Sequence, residues 1–263
     1  MNEMETPVVR SALVTGSTQG IGRAIAERLA QDNKVVGING RGSERVKGVV
    51  AEFRARGWRA FEAPGDVTES DGVRRVLALA TEATGAIDIL VNNCGGIGGV
   101  EAAPEFELFS EDAWRKIIDL NLTSAFLCCR AVVPQMKARG WGRIVNISSE
   151  SGRTPVVPRV AGWAYAAAKT GMFGLSRVLA AELAPFGITV NVVAPGFTRS
   201  GPGLEAAYNA LPEEGRRERV RGIKLGRWAE PAEIAGAVAY LASEEASYVV
   251  GAVLDVNGGS FMP

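Results

Sequence analysis

The chain has 263 residues, 47% of them apolar and 22% charged, a composition that belongs to a folded globular protein and excludes a disordered one. Twenty-nine basic residues balance 29 acidic ones, so no charge excess asks for nucleic acid or an anionic membrane. No uninterrupted apolar run reaches the roughly 18 residues of a bilayer span.

The first residues, Met1 to Pro7, lack the basic and apolar regions of a signal peptide, and the expected location is cytoplasmic. A β-branched run at 12–15 leads into Thr15-Gly16-Ser17-Thr18-Gln19-Gly20-Ile21-Gly22, and a helical pattern follows over 20–30. Glycines permit a tight turn and let a pyrophosphate approach the backbone. The helix start adds unpaired N–H groups and the positive end of a dipole.

A second strand, 35–38, ends at Asn39-Gly40-Arg41. A site for NAD would place Asp or Glu here to accept from the ribose 2′-OH. Arg41 suits a 2′-phosphate instead, and Ser43 offers a hydroxyl beside it. NADP(H) is therefore expected over NAD(H), which stays possible.

Helical patterns follow at 44–56 and 69–83, with a weaker strand at 59–63 between them and a stronger one at 87–91. Cys94, Cys128 and Cys129 cannot all pair within the chain and lack zinc-ligand spacing. The chain contains no histidine, which excludes Ser-His-Asp hydrolysis and His-ligated zinc or haem. No metal site is expected, and acid–base work falls to Tyr, Lys, Cys or carboxylates.

A long helical pattern spans 110–138, with Trp114, Ile117, Ile118, Phe126 and Leu127 at three- to four-residue spacing. Asn121 is a poor choice for its interior. A polar or water-binding role would explain it; a satisfied core amide is the plainer alternative. The next strand, 143–147, runs into Ser148 and Ser149 at the carboxyl edge of the sheet, where Ser149 could hydrogen-bond a reacting oxygen.

Tyr165 and Lys169 open a helical pattern over 164–184, and a spacing of four puts both on one face. An ammonium ~4 Å from the phenol favours phenolate by up to about 4 kcal/mol, or about 3 pKa units. Tyr165 then becomes a usable general acid or base. A strand at 188–193 follows. Residues 199–222, rich in Gly, Arg and Glu, break the alternation and read as a mobile lid. A helix at 231–242 and a strand at 253–256 close the chain. Near-continuous apolar strands alternating with helices predict one α/β domain over 1–263, a doubly wound parallel sheet covered on both faces.

In this order, and over nearly the whole chain, these motifs resemble the short-chain dehydrogenase/reductase family. Thr15-Gly16-x3-Gly20-Ile21-Gly22 is similar to its cofactor turn, Asp66-Val67 to its adenine-contacting pair, and Asn92-Asn93-Cys94-Gly95 to its Asn-Asn-Ala-Gly element. Asn121, Ser149, Tyr165 and Lys169 match its catalytic tetrad, and Pro195-Gly196 its nicotinamide-bordering turn. The resemblance implies a seven-stranded Rossmann fold and hydride transfer between nicotinamide C4 and a substrate carbon. It implies Tyr165 as general acid or base and Lys169 on the nicotinamide ribose, lowering the tyrosine pKa. Ser149 would orient the carbonyl and Asn121 would anchor a relay water. It also implies a homotetramer assembled through the fourth and fifth helices, acting on a small carbonyl or alcohol.

The run Arg227 to Ile234 resembles the branch that reduces 3-oxoacyl thioesters, although sugar, steroid and polyol dehydrogenases share it. Departures are Cys94 for Ala, Gln19 where NADP-preferring members often carry a base, and Ser200 for a carboxamide-contacting Thr, with Thr198 as a substitute. Arg159 could meet an anionic substrate, and Trp163 reads as pocket wall. The rival readings are a cofactor-binding regulator without chemistry and a sugar-nucleotide epimerase. The intact tetrad argues against the first. The glycine spacing and the seven residues left after Val256 argue against the second.

Overall fold

The computed structural model describes residues 9–101, 103, 105–154, 162–201, 206 and 208–263. Its strands are β1 (Ser11–Val14), β2 (Val35–Gly40), β3 (Ala60–Pro64), β4 (Ile89–Asn92), β5 (Gly142–Ile147), β6 (Ile188–Pro195) and β7 (Val253–Val256). They form one parallel sheet in the order β3-β2-β1-β4-β5-β6-β7. Every expected strand is present, the weak run at 59–63 included. The helices are α1 (Gly20–Gln31), α2 (Ser43–Ala55), α3 (Ser70–Thr84), α4 (Glu111–Ile118), α5 (Ser124–Arg139), α6 (Gly162–Leu183), α7 (Glu213–Val220) and α8 (Pro231–Leu241).

Alternate strand residues serve opposite faces, which is why the strands are apolar almost throughout. Ala12 and Val14 pack with Ile25 and Leu29 of α1, Val46 and Phe53 of α2, and Ile234 and Val238 of α8. Leu13, between them, packs with Val73 of α3, Val132 of α5 and Leu183 of α6. β1 pairs with β2 on one side and β4 on the other. Successive connections therefore diverge there, and a crevice opens at the carboxyl ends of the strands.

The 110–138 pattern is a continuous helical stretch in three parts. Between α4 and α5 lies a π-helical turn, Asp119–Thr123, which carries the fully buried Asn121. Such turns concentrate at functional sites. By length and composition Glu111–Arg139 is apolar enough to cross a bilayer. Here its Leu127, Cys128, Cys129, Val132 and Met136 are buried in the core on one face of the sheet.

The expected lid holds a helix, α7, that periodicity does not announce because its sequence has no apolar stripe. Residues 202–205 and 207 of that segment lie outside the described residues. Where the segment leaves and rejoins the sheet it is tied: Arg199 N donates to Ala229 O and Ala229 N to Phe197 O, both at 2.9 Å.

Candidate active site

The turn after β1 is held by groups from three strand ends. Gly16 has φ +62°, and a Cβ there would sit 3.2 Å from Cys94 Cα, so a side chain would be both strained and crowded. The Thr15 hydroxyl accepts from the Asn93 and Cys94 amides at 3.0 and 2.9 Å. Asn93 Nδ2 donates to the carbonyls of Thr15 and Gly16.

Ser17 is fully buried; its hydroxyl donates to Val14 O at 2.7 Å and accepts from Asn39 N at 2.9 Å. Asn39 Oδ1 accepts from Gly16 N, and its Nδ2 donates to Ala63 O and Gly65 O. Gly20 abuts the Ser200 carbonyl. Ser17 and Asn39 thus spend their polar atoms on shaping the turn. α1 then begins after Gln19, which provides no side-chain cap, and has no acid in its first turn. Its first N–H groups face no competing carboxylate of their own helix and suit an anion.

From this turn a cleft of about 1180 Å3 runs along the strand ends. Gly16, Thr18, Gln19, Ile21 and Gly22 line one wall, and Asn93, Cys94, Gly95, Pro195, Gly196 and Thr198 line others. At the β2 end stand Arg41 and, one helical turn later, Arg45, with Asp66 and Val67 beside them. Asp66 Oδ1 accepts from the amide and hydroxyl of Thr68. Ser43, expected in this cluster, is exposed as the first residue of α2 and does not line the cleft. Arg45 was not expected. It donates to Gln19 Oε1 at 2.7 Å, and neither it nor Arg41 is ion-paired among the described residues. Its signal in the sequence is its place four residues after Arg41, at a helix start.

Ser149, Tyr165 and Lys169 line the cleft near the turn after β6. Lys169 is 3% exposed; its Nζ donates to Ile147 O at 2.9 Å and lies 5.5 Å from the centre of the Tyr165 ring. The Ser148 hydroxyl donates to Lys169 O at 2.7 Å and ties α6 to the end of β5. Burial holds the Lys169 ammonium down to about 8. Burial pushes the Tyr165 hydroxyl up, and a hydrogen bond with Ser149 pulls it part of the way back. The charge argument from sequence has Lys169 lowering Tyr165. In the folded chain desolvation is the larger effect on both groups, and it favours the neutral phenol.

Asn121 does not line the cleft. Its Oδ1 accepts from Gly96 N at 2.9 Å, and its Nδ2 donates to Gly96 O and Ile117 O at 2.7 and 2.8 Å. It is the satisfied buried amide, and it fixes the loop after β4. Gly95 packs between Asn121 and Lys169. Cys94 is half-buried in the cleft wall, and burial, aided by Asp66, pushes its thiol up. Burial raises Cys129 to about 12 and Cys128 further. Trp163 packs against Phe106 and Phe109, with ring centres 5.5 Å apart in each pair. Arg159 lies outside the described residues.

The family model for short chain dehydrogenases matches residues 10–207. The chain belongs to this family. A 3-oxoacyl-[acyl-carrier-protein] reductase FabG from Staphylococcus aureus is 37% identical over 256 residues, which span 97% of this chain and 99% of that one. The same-named protein of Aquifex aeolicus is 39% identical over 252 residues, 95% of this chain and 96% of its own. A solved gluconate 5-dehydrogenase from Burkholderia cenocepacia J2315, in complex with NADP and tartrate, has a TM-score of 0.85 and 34% identity; 95% of this chain and 94% of that one are covered.

As a short chain dehydrogenase, the protein is an oxidoreductase that transfers hydride between a nicotinamide cofactor and a carbonyl or alcohol. The site has the features such a cofactor needs: an open glycine turn at an uncapped helix start, two cations without carboxylate partners among the described residues, and a cleft joining them to Tyr165 and Lys169.

Proposed function

We propose that this short chain dehydrogenase is an NADP(H)-preferring carbonyl reductase with Tyr165 as its general acid. One observation carries the reading: a single cleft has Arg41 and Arg45 at one end and Ser149, Tyr165 and Lys169 at the other. The two guanidiniums would hold a 2′-phosphate, and no carboxylate on the last residues of β2 opposes them. The turn from Gly16 to Gly22, with the start of α1, would hold the pyrophosphate, and Asp66 and Val67 would border the adenine. Asn93, Cys94, Gly95, Pro195, Gly196 and Thr198 would flank the nicotinamide half.

Tyr165 holds its proton on the phenol oxygen and gives it to the substrate oxygen as negative charge develops there. Ser149 donates to the same oxygen and fixes its distance. The Lys169 ammonium stabilises the phenolate that remains. Asn121 acts from behind, as a positioning residue, by holding Gly96 and the loop that carries Gly95. In the reverse direction the same groups take the proton from an alcohol. We read the protein further as a cytoplasmic homotetramer that acts on small molecules, with no nucleic-acid or membrane partner. The segment 199–222 is its substrate lid.

The second reading is a 3-oxoacyl-thioester reductase, favoured by the names of the relatives above. Initial rates with NADPH and NADH across 3-oxoacyl thioesters, diketones, keto sugars, keto steroids and aryl ketones test both. Turnover with NADPH is expected, confined to thioesters if the second reading holds. Tyr165→Phe is expected to lose about 10²–10⁴-fold in kcat. Full turnover in that variant would remove Tyr165 from the mechanism.

A further inference from the structure

The turn that carries Ser149 has a second anchor, more than 100 residues away in sequence. Glu150 follows Ser149 directly, is 7% exposed and borders the cleft. A carboxylate so buried needs a donor. Its Oε2 accepts from the Ser260 hydroxyl at 2.6 Å. Two residues on, Gly152 leads to Arg153, whose Nε and Nη2 donate to the two carboxylate oxygens of Asp255, at 3.3 and 3.2 Å. The same guanidinium stacks over Phe173 of α6 and Phe261 of the tail, 4.9 and 5.7 Å from their ring centres.

The tail is itself shaped to reach. Asn257 Nδ2 donates to Phe261 O at 2.8 Å, and its Oδ1 accepts from Gly259 N at 2.9 Å. The carboxylate also lies against the turn after β6: a Cβ on Gly196 would come within 2.9 Å of Glu150 Oε2 and of Asn257 Cα. The end of the chain therefore joins two walls of the cleft, the Ser149 turn and the Pro195-Gly196 turn.

We infer that the C-terminal segment from Asp255 to Phe261 is a clasp that positions Ser149, with Glu150 and Ser260 as its closing contact. The inference rests on the proposed role of Ser149. Glu150 and Ser260 are positioning residues: they touch the catalytic turn and not the reacting atoms. A buried hydrogen-bonded carboxylate next to a catalytic hydroxyl restricts it to one geometry, and small displacements of such groups cost rate out of proportion to their effect on binding.

The test is a double-substitution cycle read in kcat, in KM and in the dissociation constant for NADPH. Ser260→Ala is expected to lower kcat about 5- to 20-fold, with NADPH affinity and melting temperature little changed. Ser260→Thr, which keeps the hydroxyl, is expected to restore most of the rate. Glu150→Gln, which keeps an acceptor, is expected to fall between. In a Ser149→Ala background the Ser260→Ala effect is expected to disappear, because no hydroxyl remains to be positioned. Full activity in Ser149→Ala would overturn the proposed role of Ser149 and the clasp with it. A slow Ser149→Ala beside an unimpaired Ser260→Ala would overturn the clasp alone. An equal loss for Ser260→Ala in both backgrounds would make the tail a general stability element and equally end the inference.

Discussion

Lys169 illustrates a conflict between stability and chemistry at a single residue. Its ammonium is desolvated, and its pKa falls from the ordinary lysine value of 10.5 to about 8. That difference is worth about 3 kcal/mol against the folded state wherever both folded and unfolded lysine are charged, offset by about 1 kcal/mol from the bond to Ile147 O. Below pH 8 both states are protonated and the penalty is fully present. As pH rises from 8 towards 10.5 the unfolded chain binds more protons than the folded one, so stability rises and the penalty fades. Lys169→Met is therefore expected to stabilise the cofactor-free protein by about 2 kcal/mol at pH 7 and to inactivate it. Urea unfolding at pH 7 and pH 9.5 checks this. The advantage of the variant must shrink at the higher pH; a variant no more stable than the parent at pH 7 would contradict the desolvation argument. Tyr165 and Lys169 are legible in the sequence because a helix brings residues four apart to one face. The sign of their pKa shifts is not, since desolvation depends on everything packed above them.

At the scale of elements, the cofactor end turns on the corner between β2 and α2. Arg41 follows directly on the strand and Arg45 sits on the first full turn of the helix, so the two guanidiniums share one end of the cleft. Each charge-assisted contact with a 2′-phosphate is worth about 1.5–3 kcal/mol. Arg41→Ala with Arg45→Ala is expected to lower kcat/KM for NADPH at least about 100-fold and leave that for NADH nearly unchanged. Steady-state kinetics with both cofactors decide it, and an unchanged ratio would show that neither arginine selects.

The π-helical turn is the second such element. Asn121 satisfies Gly96 on both backbone polar groups, and Asn121→Ala leaves these partly buried groups without their side-chain partner. The expected cost is about 1–3 kcal/mol of stability, with the Gly96 amide losing protection from hydrogen exchange. Persistent protection in the variant would show that the loop after β4 holds itself. These elements mark where the sequence stops being informative. Strands, glycine turn and helix ends follow from local pattern. The role of Asn121 comes from a turn that breaks helical period, and those of Arg45 and Glu150 from partners met only in three dimensions. The Thr15 hydroxyl bonding Asn93 N across 78 residues leaves no local trace either.

For the whole molecule, the surface that remains after folding bears on the proposed tetramer. β7 is an edge strand of the sheet, and Leu254 on it is partly open to solvent. Nearby in sequence, Tyr248 is fully exposed and Met262 is 69% exposed. A second set lies on α5 and α6, helices joined by the Lys137–Glu182 ion pair at 3.1 Å; Phe126 is 44% and Val178 67% exposed. An open edge strand and exposed large apolar side chains are costly in a monomer. The proposed tetramer would need two such faces, each meeting its own copy across a separate two-fold axis. Sedimentation at micromolar concentration is expected to give one species of about four times 27.7 kDa. Phe126→Glu with Val178→Glu would place four carboxylates across one two-fold axis and is expected to leave dimers held by the β7 face. A parent that sediments at 27.7 kDa would remove the tetramer. Dimers in the parent that survive both substitutions would confine assembly to β7 and make the α5–α6 face a surface with no partner copy. The distinction bears on the clasp as well, because Asp255, Ser260 and Phe261 lie on or just beyond β7. Burying that face would restrain the tail, so dilution below the dissociation range should lower kcat in step with loss of the β7 contact.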